Sequence, residues 1–453
     1  MKYITLFVLL PLVQSFEQVK NIRSVSVAFE RHDKNYNLNL TKNSRKKCGN
    51  VESLNLDNMN LRVIKNGIIQ SNNIQHISLQ NNHLENVYTI LDHVPNLSCL
   101  SLSGNNINIY NGNVIRHRNL KILDLSYQKT SQSIFYYSSS SEARDLEQDT
   151  NDIYRYIIFN NTGISLPNLQ YLDLSGNDIS ALMWNFNTSF PQLIQLDLTN
   201  IKAIELEPTF FEKVPKSLRV LHMENNYLHN LTLQNMAEVT ALYLDGNQNL
   251  RIINIVSKKL KILSLSNCTN LGHGTFDTPY LEQLDLSRNN FQTVSTISFK
   301  VFQSLQILLL DSNKLTEIPS ISDLQQLNEL SLSFNMIRYI PSDIFAYFPA
   351  LKKLSLRGNR IENIDKDAFL GLNNLEYLNL SDNKLKHLPY NWATALMSLQ
   401  YLNANSNQFA NVLDIMVTSV ISLKHLAVNN NTFTDISEAE LSHLPGSTTV
   451  YLH

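Results

Sequence analysis

Leucines and their aliphatic substitutes recur along this chain in short alternating bursts, and the bursts themselves return at a nearly constant distance. In Leu169-Gln-Tyr-Leu172-Asp-Leu174-Ser-Gly-Asn177 the apolar residues at 172 and 174 flank a polar one, the period of two that a strand imposes. The same form, LxxLxLxxN, recurs at Leu281/Leu284/Leu286/Asn289, Leu305/Leu308/Leu310/Asn313 and Leu327/Leu330/Leu332/Asn335. It continues at Leu351/Leu354/Leu356/Asn359 and Leu375/Leu378/Leu380/Asn383. With the second leucine as marker, sixteen units run from Leu54 to Leu426, 21 to 25 residues apart except for one gap of 49. One strand and its return segment cannot bury such leucines alone, so the pattern predicts stacked units sharing a continuous core. Their parallel strands, about 4.8 Å apart, would line one face of a curved solenoid.

The repeat resembles the leucine-rich-repeat superfamily over roughly residues 51 to 453. Its 24-residue spacing, with Phe299, Phe345 and Phe369 nine residues before their markers, is similar to the typical extracellular subclass. The resemblance implies an α/β solenoid, a curved horseshoe of about 16–17 repeats with a parallel sheet on its concave face. Similarity to Toll-like, chaoptin-like and slit-like ectodomains implies recognition in innate immunity, adhesion or development. Asn fills the last motif position in twelve of the sixteen units, where its amide suits the backbone groups leaving the strand. Gln128 and Cys268 are mild variants there, whereas Met59 and Ile201 depart outright and predict local irregularity.

The ends read differently. Lys2, the apolar run Ile4 to Val13, and Val13 and Ser15 before the expected cut form a signal peptide over residues 1–15. Residues 16–50 are expected to cap the first unit as a hairpin, with Val25/Val27/Phe29 alternating against Tyr36/Leu38/Leu40. Thr448 to His453 stops within a strand and shows no C-terminal cap, which favours a piece of a longer product. No later apolar run reaches the roughly 18 residues of a membrane span. A secreted protein, or the extracellular part of a truncated membrane receptor, is the expectation. Within the gap, residues 129–165 form an insertion, Ser-rich and then acidic and aromatic; it reads as a tolerated surface loop or as a partner-binding one.

Composition narrows the function further. Lys+Arg 37 against Asp+Glu 39 leaves a net charge of −2, no electrostatic basis for binding nucleic acid. Three cysteines exclude a disulfide-stapled scaffold. Cys268 is expected to be buried and structural. Cys48 and Cys99 lie two units apart, about 10 Å of stacking, which predicts no bond between them and leaves Cys99 as an inert thiol or a link to a second chain. Asn-x-Ser/Thr sequons occur at Asn39, Asn96, Asn160, Asn187, Asn230, Asn267, Asn379 and Asn430, and a glycan at Asn379 would crowd the concave face.

No nucleophile elbow, phosphate loop, zinc spacing or calcium loop is present, so the reading is a binding protein rather than an enzyme, with no cofactor and no metal. Asp124, Asp173 and Asp197 share one concave position, as the frequent form LDLS would dictate, although the 49-residue gap lies between the first two. The remaining chemistry is a concave patch of Ile307, Leu309, Phe334, Lys353, Tyr377, Tyr401 and His425. It predicts an extracellular protein ligand or receptor, with a pattern-recognition module for glycan, lipid or nucleic acid as the alternative. Replacing Tyr377 and Tyr401 together by Ala is expected to weaken binding with thermal stability nearly unchanged.

Overall fold

The structure is a computed structural model of the 453-residue chain. It describes residue 48, residues 51–107 except 67, 115–129, 156–157, 164–179 and 181–182, and residues 185–452 except 208, 235, 237, 322, 435 and 447. The expected signal peptide, the expected capping segment but for Cys48, and the Ser-rich and acidic body of the insertion lie outside these residues. The described chain forms two compact units: residues up to 262 with 270–272, and residues 263–269 with 273 onwards.

The first unit stacks strands β1 (Ser53–Asn55), β2 (His76–Ser78), β3 (Cys99–Ser101), β4 (Ile122–Asp124), β5 (Tyr171–Asp173), β6 (Gln195–Asp197), β7 (Val220–His222) and β8 (Ala241–Tyr243). Each pairs in parallel with the next, marker against marker. After β9 (Ile262–Ser264) in the chain, the second unit repeats the plan. Its strands are β10 (Gln283–Asp285), β11 (Ile307–Leu309), β12 (Glu329–Ser331), β13 (Lys353–Ser355), β14 (Tyr377–Asn379), β15 (Tyr401–Asn403), β16 (His425–Ala427) and β17 (Thr449–Tyr451). β4 pairs directly with β5, so the insertion leaves the register of the stack intact. Its last described residues return to the wall: Tyr156–Ile157 pairs with Ala181–Leu182, and Ile164–Ser165 with Ile115–Arg116.

The middle residue of each strand and the aliphatic residue just past its end turn inward. Ile77, Leu79, Leu100, Leu102, Leu330 and Leu332 are fully buried. The return segments contribute four-residue helices, such as Phe186–Ser189 and Phe210–Lys213, and 3-10 turns rather than long helices. Phenylalanines fill the space beneath them: Phe345 stacks on Phe369 at 5.8 Å, and Phe369 meets Trp392 edge-on at 5.4 Å.

Two side-chain devices hold each turn to the next. The motif asparagine donates to a carbonyl of its own turn and to one of the preceding turn and, except at Asn247 and Asn289, accepts an N–H from that preceding turn. Asn359 does so with Leu356 O at 3.0 Å, Leu332 O at 2.9 Å and Ile337 N at 3.1 Å. Gln128, one atom longer, donates to Leu102 O at 3.0 Å and accepts from Ile107 N at 2.8 Å. Where Ile201 replaces the amide, its own backbone carbonyl accepts the Ile179 N–H at 2.9 Å. The expected irregularity at Ile201 is thus confined to one side chain.

The second device is a left-handed residue just before the asparagine position of every one of the sixteen units. Glycine provides it only at Gly104, Gly176, Gly246 and Gly358; Asn, Asp, Ser, Arg, Tyr or Phe do so elsewhere. Each of these glycines has a further reason. A Cβ on Gly358 would lie 2.4 Å from the Phe334 ring, and one on Gly176 would lie 2.3 Å from the Tyr127 ring. On Gly104 and Gly246 it would meet the side chains of Asn81 and Asn225 at 2.5 and 2.2 Å. The obstructing residue is always the left-handed residue of the preceding turn.

Candidate functional site

Alternation places the first and third residue of every strand on the sheet face away from the leucine core. In the second unit this face carries six of the seven expected patch residues. Phe334 is elsewhere: it occupies the left-handed turn after β12, with its exposed ring against Gly358 and 5.2 Å from the Arg357 guanidinium. Ile307, Leu309 and Tyr377 are only 4, 6 and 6% exposed and form one apolar cluster with Tyr401 packed against it. The accessible part of the patch is therefore narrower than the sequence suggests. The expectation that stability would survive loss of Tyr377 is corrected too, since deleting a buried ring costs about 3 kcal/mol or more.

From Tyr377 onward the face becomes an aromatic ladder, one ring per strand. Tyr377 and Tyr401 stack at 4.9 Å and 14°; Tyr401 to His425 is 6.1 Å, and His425 to Tyr451 is 5.9 Å. His425 Nδ1 and the Tyr451 hydroxyl share a hydrogen bond of 2.9 Å. Burial raises the Tyr401 phenol well above its ordinary value, helped by its neighbours Tyr377 and Tyr451, and burial raises Tyr451 as well. His425 is held below the ordinary imidazole value by burial and then by the charge of Lys424. These shifts favour the uncharged forms of Tyr401, His425 and Tyr451. Beside it Lys353 Nζ pairs with Glu329 Oε1 at 2.5 Å. Glu329 and Tyr451 were not singled out from sequence, although both stand next to a marker leucine or its equivalent, the position that should have disclosed them.

The first unit presents a different face. Because β4, β5 and β6 are neighbours, Asp124, Asp173 and Asp197 form a continuous row despite the gap in sequence. Each carboxylate is committed to its own turn: it accepts from Ser126 N at 3.0 Å, Ser175 N at 2.9 Å and Thr199 N at 3.0 Å respectively. Next in line, His222 Nδ1 lies 3.0 Å from Glu224 Oε1, the Thr199 hydroxyl donates to Glu224 at 2.9 Å, and the Tyr243 ring stacks on His222 at 4.6 Å. Burial would raise the Glu224 carboxyl, but the His222 charge and the bonds from His222 and Thr199 hold it below the usual carboxylate range.

The cysteines require a correction. Cys48 and Cys99 are joined in a disulfide with a Cα–Cα distance of 5.9 Å, so Cys99 is neither an inert thiol nor a link to a second chain. Counting strand spacings misled because Cys48 is not in a strand: it lies five residues before β1, and five extended residues reach about 17 Å. Cys268 is buried and outside any disulfide. Of the sequons, Asn96, Asn187, Asn230 and Asn430 are exposed and Asn267 half-buried, while Asn39 and Asn160 lie outside the described residues. Asn379 is 1% exposed; its amide donates to the Tyr377 hydroxyl and its oxygen accepts from Ser381 N.

Comparison with known proteins agrees with this geometry. A leucine-rich-repeat family model matches residues 258–315, 303–361 and 349–409, and a second matches residues 168–191. Chicken Tsukushi is 30% identical over 196 residues, 41% of this chain and 53% of that one. Chicken lumican is 30% identical over 209 residues, 38% of this chain and 60% of that one. The chain thus spans a little over half the length of these relatives. A leucine-rich-repeat protein of Leptospira interrogans shares the fold with a TM-score of 0.53 at 24% identity, over 91% of this chain and 98% of that one.

Proposed function

We propose that this chain, which belongs to the leucine-rich-repeat family, is an extracellular binding protein without enzymatic activity that recognises a protein ligand or receptor. The observation that carries this reading is the aromatic ladder on the sheet face of the second unit. Neighbouring strands fix the rings in advance, so a partner that covers them loses no further side-chain freedom there. Rings with polar tips, flanked by the Lys353–Glu329 pair, have the composition of interface anchors rather than of a lipid pocket. Among the described residues no helix is long and apolar enough to cross a membrane. Secretion through residues 1–15 and glycans on Asn96, Asn187, Asn230 and Asn430 belong to the same proposal.

The test is saturable binding of the labelled full-length chain to cells, before and after surface proteolysis. Protease-sensitive binding that weakens at least tenfold in His425→Ala and in Lys353→Ala, with unchanged melting curves, supports a protein partner met by this face. Unaltered affinity in both variants refutes the patch. Binding that survives proteolysis but falls steeply with salt replaces the protein partner by an anionic polymer.

A further inference from the structure

The Cys48–Cys99 disulfide has a third member. His76 stands on β2 directly opposite Cys99 on β3, in the same register of a parallel pair. Cys48 crosses from the segment before β1 to reach the same spot, and the two sulfurs and a His76 ring nitrogen all lie within 4.8 Å of one another. A disulfide needs two sulfurs and no imidazole. Two sulfurs and a nitrogen gathered this closely also supply three donors of a zinc tetrahedron, where Zn–S and Zn–N bonds of about 2.3 and 2.0 Å put neighbouring ligand atoms roughly 3.5–3.8 Å apart, a spacing the two sulfurs reach only once the bond between them is reduced. Two of the three ligands are on adjacent strands, held by the sheet whatever the state of the sulfurs. Both cysteines are buried and His76 is half-buried, and the fourth position would be taken by a water.

We propose that in its dithiol form the chain binds one zinc ion through Cys48, His76 and Cys99, with the disulfide as the alternative state of the same clasp. Opening requires a dithiol or phosphine reductant: the S–S bond takes two electrons and two protons, and either the dithiol gives up both and becomes a disulfide, or the phosphine gives the electrons and becomes its oxide while one water supplies the oxygen and the two protons. Zinc then displaces the two thiol protons to solvent and bonds to both thiolates and the imidazole. Thiolate and imidazole donors favour zinc over magnesium or calcium, which take oxygen ligands. In either state the segment before β1 stays tied to the third strand.

The experiment uses the full chain, reduced with a water-soluble phosphine in the presence of one equivalent of zinc, so that the clasp is never left open, and then passed through a desalting column without air. Wild type is expected to retain one zinc per chain when reduced and none when oxidised. His76→Ala should form the disulfide normally, by thiol count, yet lose zinc affinity at least tenfold against a chromogenic chelator. Cobalt(II) in place of zinc should give the intense visible bands of a tetrahedral site with sulfur-to-metal charge transfer, lost in Cys99→Ser. A reduced wild-type chain that retains no zinc, or a His76→Ala chain that binds it as tightly as wild type, overturns the proposal.

Discussion

The two units build the same ladder from unequal sequence. In the second, β10 to β16 each end in an Asn-bearing turn, and the family model runs almost without interruption from 258 to 409. In the first, only residues 168–191 are matched, a long insertion intervenes, the motif amide is missing at Met59 and Ile201, and Gln128 supplies it on a longer side chain. Yet the strand pairing of β4 through β8 is as regular as that of β10 through β17. The repeat is evidently a set of backbone requirements, a bonded N–H and two bonded carbonyls per turn, that more than one residue can satisfy.

The largest expected effect breaks that equivalence directly. Asn359→Ala leaves the Leu332 and Leu356 carbonyls and the Ile337 N–H with one partner fewer in a buried setting, which should cost about 3 kcal/mol in a denaturant titration. Gln128→Ala should cost a comparable amount, about 2 kcal/mol. A negligible loss there would show that the first unit is held by something other than this ladder.

Next in size is Gly358→Ala, at about 2 kcal/mol, from left-handed backbone strain and from displacement of the Phe334 ring off the Arg357 guanidinium. In a Phe334→Ala background the same change should cost only about 1 kcal/mol, because the strain remains but the obstruction does not. The matching cycle of Tyr127 with Gly176 in the first unit should show the same coupling. Additive effects in both cycles would dismiss the contact as incidental.

The smallest effect is in pH. His117, buried against the Val94 carbonyl, and His425 both have values lowered by burial, so the unfolded chain takes up their protons first as pH falls below 6.5. Stability should therefore decline from pH 6.5 downward until the folded imidazoles protonate as well. Glu224 has a lowered value too, and its contribution, complete above its ordinary value of 4.5, should be lost only as pH falls below that. A His117→Gln chain should show a flatter limb near pH 6; a limb as steep as that of wild type would place the titration elsewhere.

Much of the fold was legible because the core leucines obey a period that a strand alone imposes. The asparagine ladder was legible for the same reason: a polar residue recurring at the end of an apolar run must meet the backbone. What could not be read were the relations across turns. That β4 meets β5 over a 49-residue gap, that Phe334 sits in a turn rather than on the sheet, and that Ile307, Leu309 and Tyr377 cover one another all depend on neighbours far away in sequence. The Cys48–Cys99 bond was missed for a related reason, since strand spacing says nothing about a residue that has left the strand.

The four glycines whose missing Cβ accommodates the previous turn's side chain have a consequence for how such chains change. A coil that begins beneath Phe334 or Tyr127 cannot be exchanged for one that carries a side chain there. Duplication or shuffling of whole repeats is thereby restricted to partners of matching shape, and the order of the coils is written in steric keys between neighbours as well as in the leucines they share.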